Sequence, residues 1–104
     1  RAAGSFPRLL AQFVRTGKLS LYEAVRMMTA MPADKLGLSN KGSLQVGADA
    51  DVVIFDPDRV RDHATFDQPT SPGEGIDYVF IGGELAARDC RVVRGDLGRS
   101  VRKL

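Results

Sequence analysis

The chain has 104 residues and a mass of 11.3 kDa, with 43% apolar and 27% charged residues, which suits one globular domain with a modest core. Fifteen Lys and Arg against thirteen Asp and Glu give a formal charge of +2, too small a surplus to indicate nucleic-acid binding. The single cysteine excludes an internal disulfide and predicts a reducing, cytoplasmic setting, and no run approaches the ~18 apolar residues of a membrane span.

The first 40 residues have the pattern of helices. Ser5 and Pro7 suit a helix start, and Gly17 suits a left-handed stop. Helical spacing predicts that one face of this helix is lined by Leu9, Leu10, Phe13 and Val14. Ser20 and Glu23 form a capping box that predicts a second helix. The packing face of that helix is predicted to contain Ala24, Val25, Met27 and Met28.

A proline should end this second helix. The residue before a proline avoids the helical region, so we expect the break at Met31-Pro32. One further helical turn is expected from Pro32 to Leu36, with Gly37 as its stop.

After Gly37 the pattern changes to that of strands. Residues 41–56 read KGSLQVGADADVVIFD, and we expect strand structure from Leu44 onward. The run from Val52 to Phe55 is short, apolar and β-branched, which predicts a buried strand closed by a turn at Asp56-Pro57.

The second half is predicted to hold a long connection and a hairpin. Residues 59–75 are polar and rich in Pro and Gly, and residues 76–93 form the hairpin around a Gly82-Gly83 turn. A further short strand is expected over residues 90–93 after a turn at Arg88-Asp89. Residues 94–104 are basic and are predicted to be a loosely held arm.

Few residues suggest chemistry. His63 is the single histidine, so it is predicted to be a surface residue rather than a zinc ligand, since zinc sites need several converging donors. Cys90 is expected to be a half-buried residue near a turn rather than a nucleophile. Asp49 and Asp51 form an acidic pair, for which accepting backbone N–H bonds in a turn is favoured over acid–base catalysis.

The basic side chains are assigned to solvent. The C-terminal cluster has no interleaved aromatic residue, so a solvated arm or subunit contact is favoured over nucleic-acid binding. Arg15, Lys18 and Arg26 are predicted to be solvating residues on helix surfaces.

Several motifs resemble one enzyme family. The pattern Gly-x-Leu-x-x-Gly-x-x-Ala-Asp-Val-Val, at residues 42–53, resembles the segment by which amidohydrolases pass from their catalytic barrel to a small β domain. Residues 1–15 and 19–38 are similar to the N-acyl-D-amino-acid deacylase (D-aminoacylase) branch. Further matches to that branch are Ala64-Thr65-Phe66, Pro69, Gly75-Ile76, Tyr78-Val79, Gly82-Gly83 and Gly98-Arg99.

The resemblance implies that the chain is the C-terminal quarter or so of such an enzyme. The lack of a methionine before Met27 predicts either a processed chain or a fragment of a longer one. The implied fold is α+β: residues 1–40 are the last helices of an incomplete TIM-like barrel, and residues 41–104 a small antiparallel β-sandwich-type domain. The parent would use zinc to hydrolyse N-acyl-D-amino acids, with its metal ligands and catalytic aspartate upstream of Arg1. This segment would then bind no metal and be inactive alone. Arg1 matches the family's arginine that is close enough to the catalytic loop to bind the substrate carboxylate. For the isolated segment a terminus without a role is favoured, and for the intact parent the carboxylate-binding role is favoured.

Two alternatives stay open. Dihydroorotase-like and hydantoinase-like enzymes share the motif of residues 41–56, although the residues after Ala64 favour the deacylases. A second hypothesis is a non-catalytic β module for subunit or partner association, because unpaired sheet edges recruit neighbours. The isolated chain is accordingly predicted to form a dimer or larger assembly, with no nucleic-acid or membrane partner.

Overall fold

The structure is a computed structural model that describes residues 5–68 and 72–101. Helical segments come first in the chain and an antiparallel sheet follows, so the predicted combination of helices with an antiparallel sheet is confirmed. The elements in chain order are α1 (Ser5–Leu9), a π-helix (Leu10–Val14), α2 (Leu21–Met28), α3 (Ala30–Leu36), β1 (Val52–Phe55), β2 (Ile76–Ile81), β3 (Glu84–Arg88) and β4 (Arg91–Val92).

The first helix changes type at Leu10, and this changes the face that it buries. Leu10 is 4% exposed, and Leu9 and Val14 pack beside it, but Phe13 is 43% exposed, so its predicted place on the core face is wrong. The Arg15 N–H donates to the Leu10 carbonyl, the i→i+5 bond of a π-helix. The wider turn keeps Val14 beneath Leu10 and rotates Phe13 away from the core.

The stop and start signals between the first two helices are confirmed. Gly17 has φ +79° and donates its N–H to the Val14 carbonyl. Ser20 caps α2, since its Oγ accepts from the Glu23 N–H at 3.1 Å. On α2, Ala24 is fully buried, whereas Met27 is 46% exposed and does not belong to the predicted packing face.

The break between α2 and α3 comes two residues earlier than predicted. Thr29, with φ −128° and ψ −78°, separates the helices, and Met31-Pro32 lies within α3. A proline ring clashes with the carbonyl four residues before it, which here belongs to Met28. Non-helical backbone at Thr29 moves that carbonyl aside, so the break is relieved upstream of Pro32. Gly37 ends α3 with φ +72°, as predicted.

The predicted strand from Leu44 onward is wrong. Residues 38–51 form turns and bends, and β1 begins only at Val52. The Ala48 N–H donates to the Gln45 carbonyl, which closes a turn that a strand cannot contain. The turn leaves the side chains of Leu44 and Val46 exposed.

The four strands form one antiparallel sheet in the order β1-β2-β3-β4. Val53 pairs with Val79 across β1 and β2, and Val79 pairs with Ala87 across β2 and β3. Val53 and Ile54, on opposite faces of β1, are 52% and 47% exposed, so the expected burial of this whole strand is wrong for the described residues.

One of the two predicted hairpin turns is confirmed and the other is displaced. Gly82 and Gly83 both have positive φ and join the paired residues Ile81 and Glu84. The next turn consists of Asp89 and Cys90, with φ +50° and +62°, rather than Arg88-Asp89. Arg88 pairs with Arg91 in the β3–β4 ladder, which leaves Cys90 in the turn and outside the strand.

The first residues after β4 are held against the sheet, which corrects the prediction of a loose arm from residue 94. The N–H groups of Val93 and Arg94 both donate to the Ala86 carbonyl. The Arg94 guanidinium also lies 3.0 Å from carboxylate oxygens of Glu84 and Asp96.

The main core lies between the helices and the start of the 59–75 loop. Leu10, Ala24 and Val60 are buried together, and half-buried Phe55 and Ile76 bring β1 and β2 to the same cluster. The division at residue 40 into a helical and a β segment stays a prediction. Across the described ranges, every helix is too short or too polar to traverse a bilayer.

The close approach of Gly75 to Val60 provides a test of this core. A Cβ at Gly75 would overlap the backbone N and Cα of Val60, while a Cβ at Gly47 would meet nothing within 4 Å. Both glycines have φ near +90°, so each alanine variant carries the left-handed penalty of about 1–2 kcal/mol. Gly75→Ala should cost about 1–3 kcal/mol more than Gly47→Ala in denaturant unfolding. Equal losses would contradict the contact.

Candidate functional site

Residues 40–51 form a loop closed by charged and polar side chains. Lys41 Nζ lies 2.6 Å from Asp51 Oδ2 and 2.9 Å from Asp49 Oδ2, so one ammonium bridges the acidic pair. Asn40 Nδ2 also donates to Asp49 Oδ2 at 2.9 Å, and the Asp49 N–H donates to the Asn40 carbonyl. The start and end of the loop are therefore joined.

The same loop is attached to the sheet and to α3. Asp51 Oδ1 accepts from the Gly82 N–H at 2.9 Å, which confirms the predicted N–H-accepting role for this aspartate. The Gly83 N–H donates to the Ala50 carbonyl at 2.9 Å. On the other side, a Cβ at Gly42 would lie 2.7 Å from both the Ala33 Cβ and the Thr29 carbonyl oxygen. The loop thus joins α3 to the β2–β3 turn.

The ion pairs of the loop keep both partners charged. Hydrogen bonds to Asp51 and then to Asp49 raise the pKa of the Lys41 ammonium above its usual range. The bond from Lys41, followed by that from the Gly82 N–H, lowers the pKa of the Asp51 carboxyl. A carboxylate stabilised in its ionised form by two donors is a weak base. The arrangement therefore suits a structural connection rather than proton transfer.

A second polar cluster joins the two ends of the 59–75 loop. Arg61 and Glu74 exchange backbone N–H···O bonds of 2.9 Å, and His63 Nε2 lies 2.8 Å from Glu74 Oε2. The bond to His63 lowers the pKa of the Glu74 carboxyl. His63 is exposed, as predicted, but it cross-links the loop, which the sequence did not indicate.

Cys90 is half-buried in the β3–β4 turn, which confirms its predicted setting. Its Sγ lies 3.8 Å from the Ile76 carbonyl oxygen, and the thiol donates weakly to that oxygen. The cysteine accordingly links the turn to the start of β2.

The zinc implied by the resemblance does not fit the donors in the described ranges. Within residues 5–68 and 72–101, no cluster of three or more His, Cys, Asp or Glu side chains is placed to hold a metal ion. Asp49 and Asp51 share an ammonium, and His63 is in contact with the Glu74 carboxylate. Zinc chemistry therefore cannot be assigned to these residues.

The sequence assigned roles to Arg1 and Arg15, and the structure describes Arg15 alone of these two. Arg1, the predicted substrate-binding residue, lies outside the described residues. Arg15, predicted to be a solvating residue, donates from Nη1 to the Asp58 carbonyl at 2.6 Å and from Nη2 to the Val60 carbonyl at 2.7 Å. Its partners are backbone carbonyls 43 and 45 residues away, so no side-chain pattern signals the contact.

Comparison with known proteins gives one family. Residues 10–87 match the sequence profile described as the Amidohydrolase family, which covers most of the chain. An N-acyl-D-glutamate deacylase from Alcaligenes xylosoxydans xylosoxydans is 50% identical over 84 residues, which are 80% of this chain and 17% of that enzyme.

Two solved structures resemble the chain closely. A D-aminoacylase, solved in work on its binuclear metal center, gives a TM-score of 0.86 at 37% identity and matches 94% of this chain. The N-acyl-D-glutamate deacylase of Bordetella bronchiseptica, solved with zinc and a phosphonate inhibitor, gives 0.76 at 42% identity over 88%. The chain spans 21% of each of these two proteins.

The bridge formed by Lys41 predicts a pH dependence of stability. The folded pKa of Asp51 is lowered, so its contribution is present at neutral pH and is lost as pH falls through that pKa, below about pH 4. The folded pKa of Lys41 is raised, so its contribution is lost only as pH rises above about 10. Lys41→Met should cost about 1 kcal/mol between these limits.

The loss should be largest from about pH 5 to 9 and should shrink on both sides of that window, as measured by urea unfolding at several pH values. Lys18→Met, at an exposed lysine in the turn after the π-helix, is the matched control and should show no such window. A Lys41→Met loss that does not vary with pH would argue against the bridge.

Proposed function

This chain belongs to the amidohydrolase family, and from this membership we propose that it is the C-terminal part of a zinc-dependent N-acyl-D-amino-acid deacylase. The observation that carries the proposal is the likeness to two solved deacylases over 94% and 88% of this chain, at 37% and 42% identity. The parent would hydrolyse the amide bond of an N-acyl-D-amino acid to a free D-amino acid and a carboxylate.

Within that parent, the role of this chain is scaffolding. We assign residues 1–40 to the last helices of the barrel and residues 41–104 to most of a small β-sandwich-type domain. An apolar groove on the helices supports the first assignment, because it offers a surface for further barrel elements. Its lining residues are Leu21, Tyr22, Val25, Arg26, Thr29 and Ala30. The half-exposed Val53 and Ile54 lie on opposite faces of β1 and support the second, since a second sheet would cover one of these faces.

The chemistry is assigned to residues outside the described ranges. When bound, zinc polarises an amide carbonyl and lowers the pKa of a water molecule. The carboxylates described above are engaged with Lys41 or His63, so this segment supplies structure rather than metal ligands.

Arg1 is the one residue of this chain that we place at the substrate. It matches the arginine that precedes the Gly-x-Phe-Pro-Arg segment of the family, here residues 4–8. A guanidinium presents two parallel N–H donors to a carboxylate, and every N-acyl-D-amino acid carries an α-carboxylate.

Association of the isolated segment is a second candidate function. Edge strand β1 has exposed apolar side chains on Val53 and Ile54, and unpaired edges recruit neighbouring strands. Light scattering of the isolated chain distinguishes the candidates: a stable monomer at high concentration contradicts association and leaves the deacylase proposal intact.

The deacylase proposal is tested with the intact protein encoded by the complete reading frame. It should release D-amino acids from N-acyl-D-glutamate, N-acyl-D-aspartate or neutral N-acyl-D-amino acids, and should leave the L enantiomers uncut. Chelation should abolish this activity and added zinc should restore it. Hydrolysis of dihydroorotate or a hydantoin in place of these substrates would refute the deacylase assignment.

The proposed role of Arg1 predicts a carboxylate-specific defect in that protein. Arg1→Ala should lower kcat/KM about 100-fold or more for an N-acyl-D-amino acid, because a charge-assisted bidentate contact contributes about 3 kcal/mol or more. Arg1→Lys should recover part of this loss, since an ammonium keeps the charge without the fork. An unchanged kcat/KM in Arg1→Ala would remove the residue from the substrate site.

A further inference from the structure

We propose that one face of the β1–β4 sheet is the docking surface for a second β-sheet, supplied by the part of the proposed parent outside this chain, and that the opposite face stays in solvent. This inference rests on the proposed function and deepens its β-sandwich-type domain, because it names the face that the second sheet covers. Its basis is the cross-strand pairing, exposure and charge of described residues in the four strands.

The docking face has a row of small apolar side chains that crosses all four strands. Val53 of β1 pairs with Val79 of β2, which pairs with Ala87 of β3. Ala87 in turn pairs with Val92 of β4. Directly paired residues of antiparallel strands have their side chains on the same face, which we call the valine face. Val53 and Val92, at the two ends of the row, are 52% and 77% exposed.

The opposite face has a row of different chemistry at the same level. Ile54 pairs with Tyr78, and Tyr78 pairs with Arg88. Arg88 in turn pairs with Arg91. Each of these residues is the chain neighbour of a residue in the valine row, so the two rows lie back to back. We call this second face the arginine face.

The two arginines decide which face a second sheet can cover. Arg88 and Arg91 are exposed, and within residues 5–68 and 72–101 neither guanidinium has a hydrogen bond or an ion pair. A sheet on the arginine face would take two unpaired like charges out of water, which is strongly unfavourable. A sheet on the valine face would remove only apolar groups from water at this level, which is favourable.

The valine face also continues into the core of the chain. Phe55 lies two residues after Val53 in β1, so its side chain is on the same face, and it pairs with Ile76 of β2. Both Phe55 and Ile76 pack against the buried cluster that contains Val60. A sheet on the valine face would therefore extend an existing core.

The length of the relatives and the shape of the row select the occupant. The chain spans 21% of each of the two solved relatives, so most of the proposed parent lies outside it and can supply further strands. The side chains of the valine row are short, which gives the sheet a level apolar surface. A second sheet stacks on such a surface at about 10 Å. The competing occupants are a helix and a second copy of this chain.

The first test compares two neighbouring positions of β1 in the intact protein encoded by the complete reading frame. Val53→Cys and Ile54→Cys are a matched pair, because the two side chains are about equally exposed in this chain and lie on opposite faces. A maleimide reagent should modify Val53→Cys about 100-fold more slowly than the same variant unfolded in urea. For Ile54→Cys the difference should be less than about tenfold. Mass spectrometry of the modified peptide excludes interference from other cysteines.

The remaining labelling outcomes overturn the inference. Equal protection at the two positions would mean that both faces are covered or that both are open. A protected Ile54→Cys with a reactive Val53→Cys would place the second sheet on the arginine face.

A photo-crosslinker at the end of the row identifies what covers the valine face. On irradiation, p-benzoylphenylalanine in place of Val92 should join to a peptide outside residues 1–104 that has the alternating apolar residues of a strand. A crosslink to residues 1–104 of a second molecule would show that the occupant is another copy. A crosslink to a peptide of helical periodicity would show a helix, and either result overturns the proposed occupant.

Neither measurement depends on activity, so this inference and the deacylase proposal can fail separately. An active deacylase in which Val53→Cys reacts freely overturns the docking face alone. Protection of Val53→Cys in a protein that hydrolyses no N-acyl-D-amino acid supports the docking face and contradicts the deacylase proposal.

Discussion

The loop between α3 and the sheet is held closed by one ammonium that neutralises two carboxylates. Lys41 Nζ lies within 3 Å of oxygens of both Asp49 and Asp51. The other carboxylate oxygen of Asp51 accepts a hydrogen bond from the Gly82 N–H. Without the lysine, two like charges two residues apart would repel each other at the entrance of β1. The ion pairs therefore let the chain leave α3, turn repeatedly and still enter the sheet in register.

A different interaction holds the helical segment formed by α1 and the π-helix. Arg15 satisfies backbone carbonyls instead of carboxylates, and Val60 fills the space between helix and loop with no exposed surface. The two connections join different elements. Residues 40–51 join α3 to the hairpin, and the 59–75 loop joins the first helical segment to β1 and β2. Both loops bear contacts between regular elements, and Gly42 in the first and Gly73 and Gly75 in the second lie where a Cβ would meet a neighbouring atom at less than 3 Å.

Sequence reasoning found the features that depend on neighbours along the chain. The Ser20 cap, the stops at Gly17 and Gly37 and the Gly82-Gly83 turn are local, and each has a residue type that only its backbone conformation explains. Sequence reasoning missed the features that depend on residues far away in the chain. Val60 lies in a polar stretch with no periodicity, and the displaced break at Thr29 arises from a clash that Pro32 makes one turn upstream.

In the candidate site, too, local contacts were predictable and contacts with distant residues were not. The Asp51 contact with a backbone N–H was predictable because aspartate has that preference in turns, but its lysine partner was not assigned, since ten residues of irregular chain separate them. Contacts over long sequence separation were the hardest to predict. Arg15, whose backbone partners lie 43 and 45 residues away, is an example, because its partners are carbonyls that every residue carries.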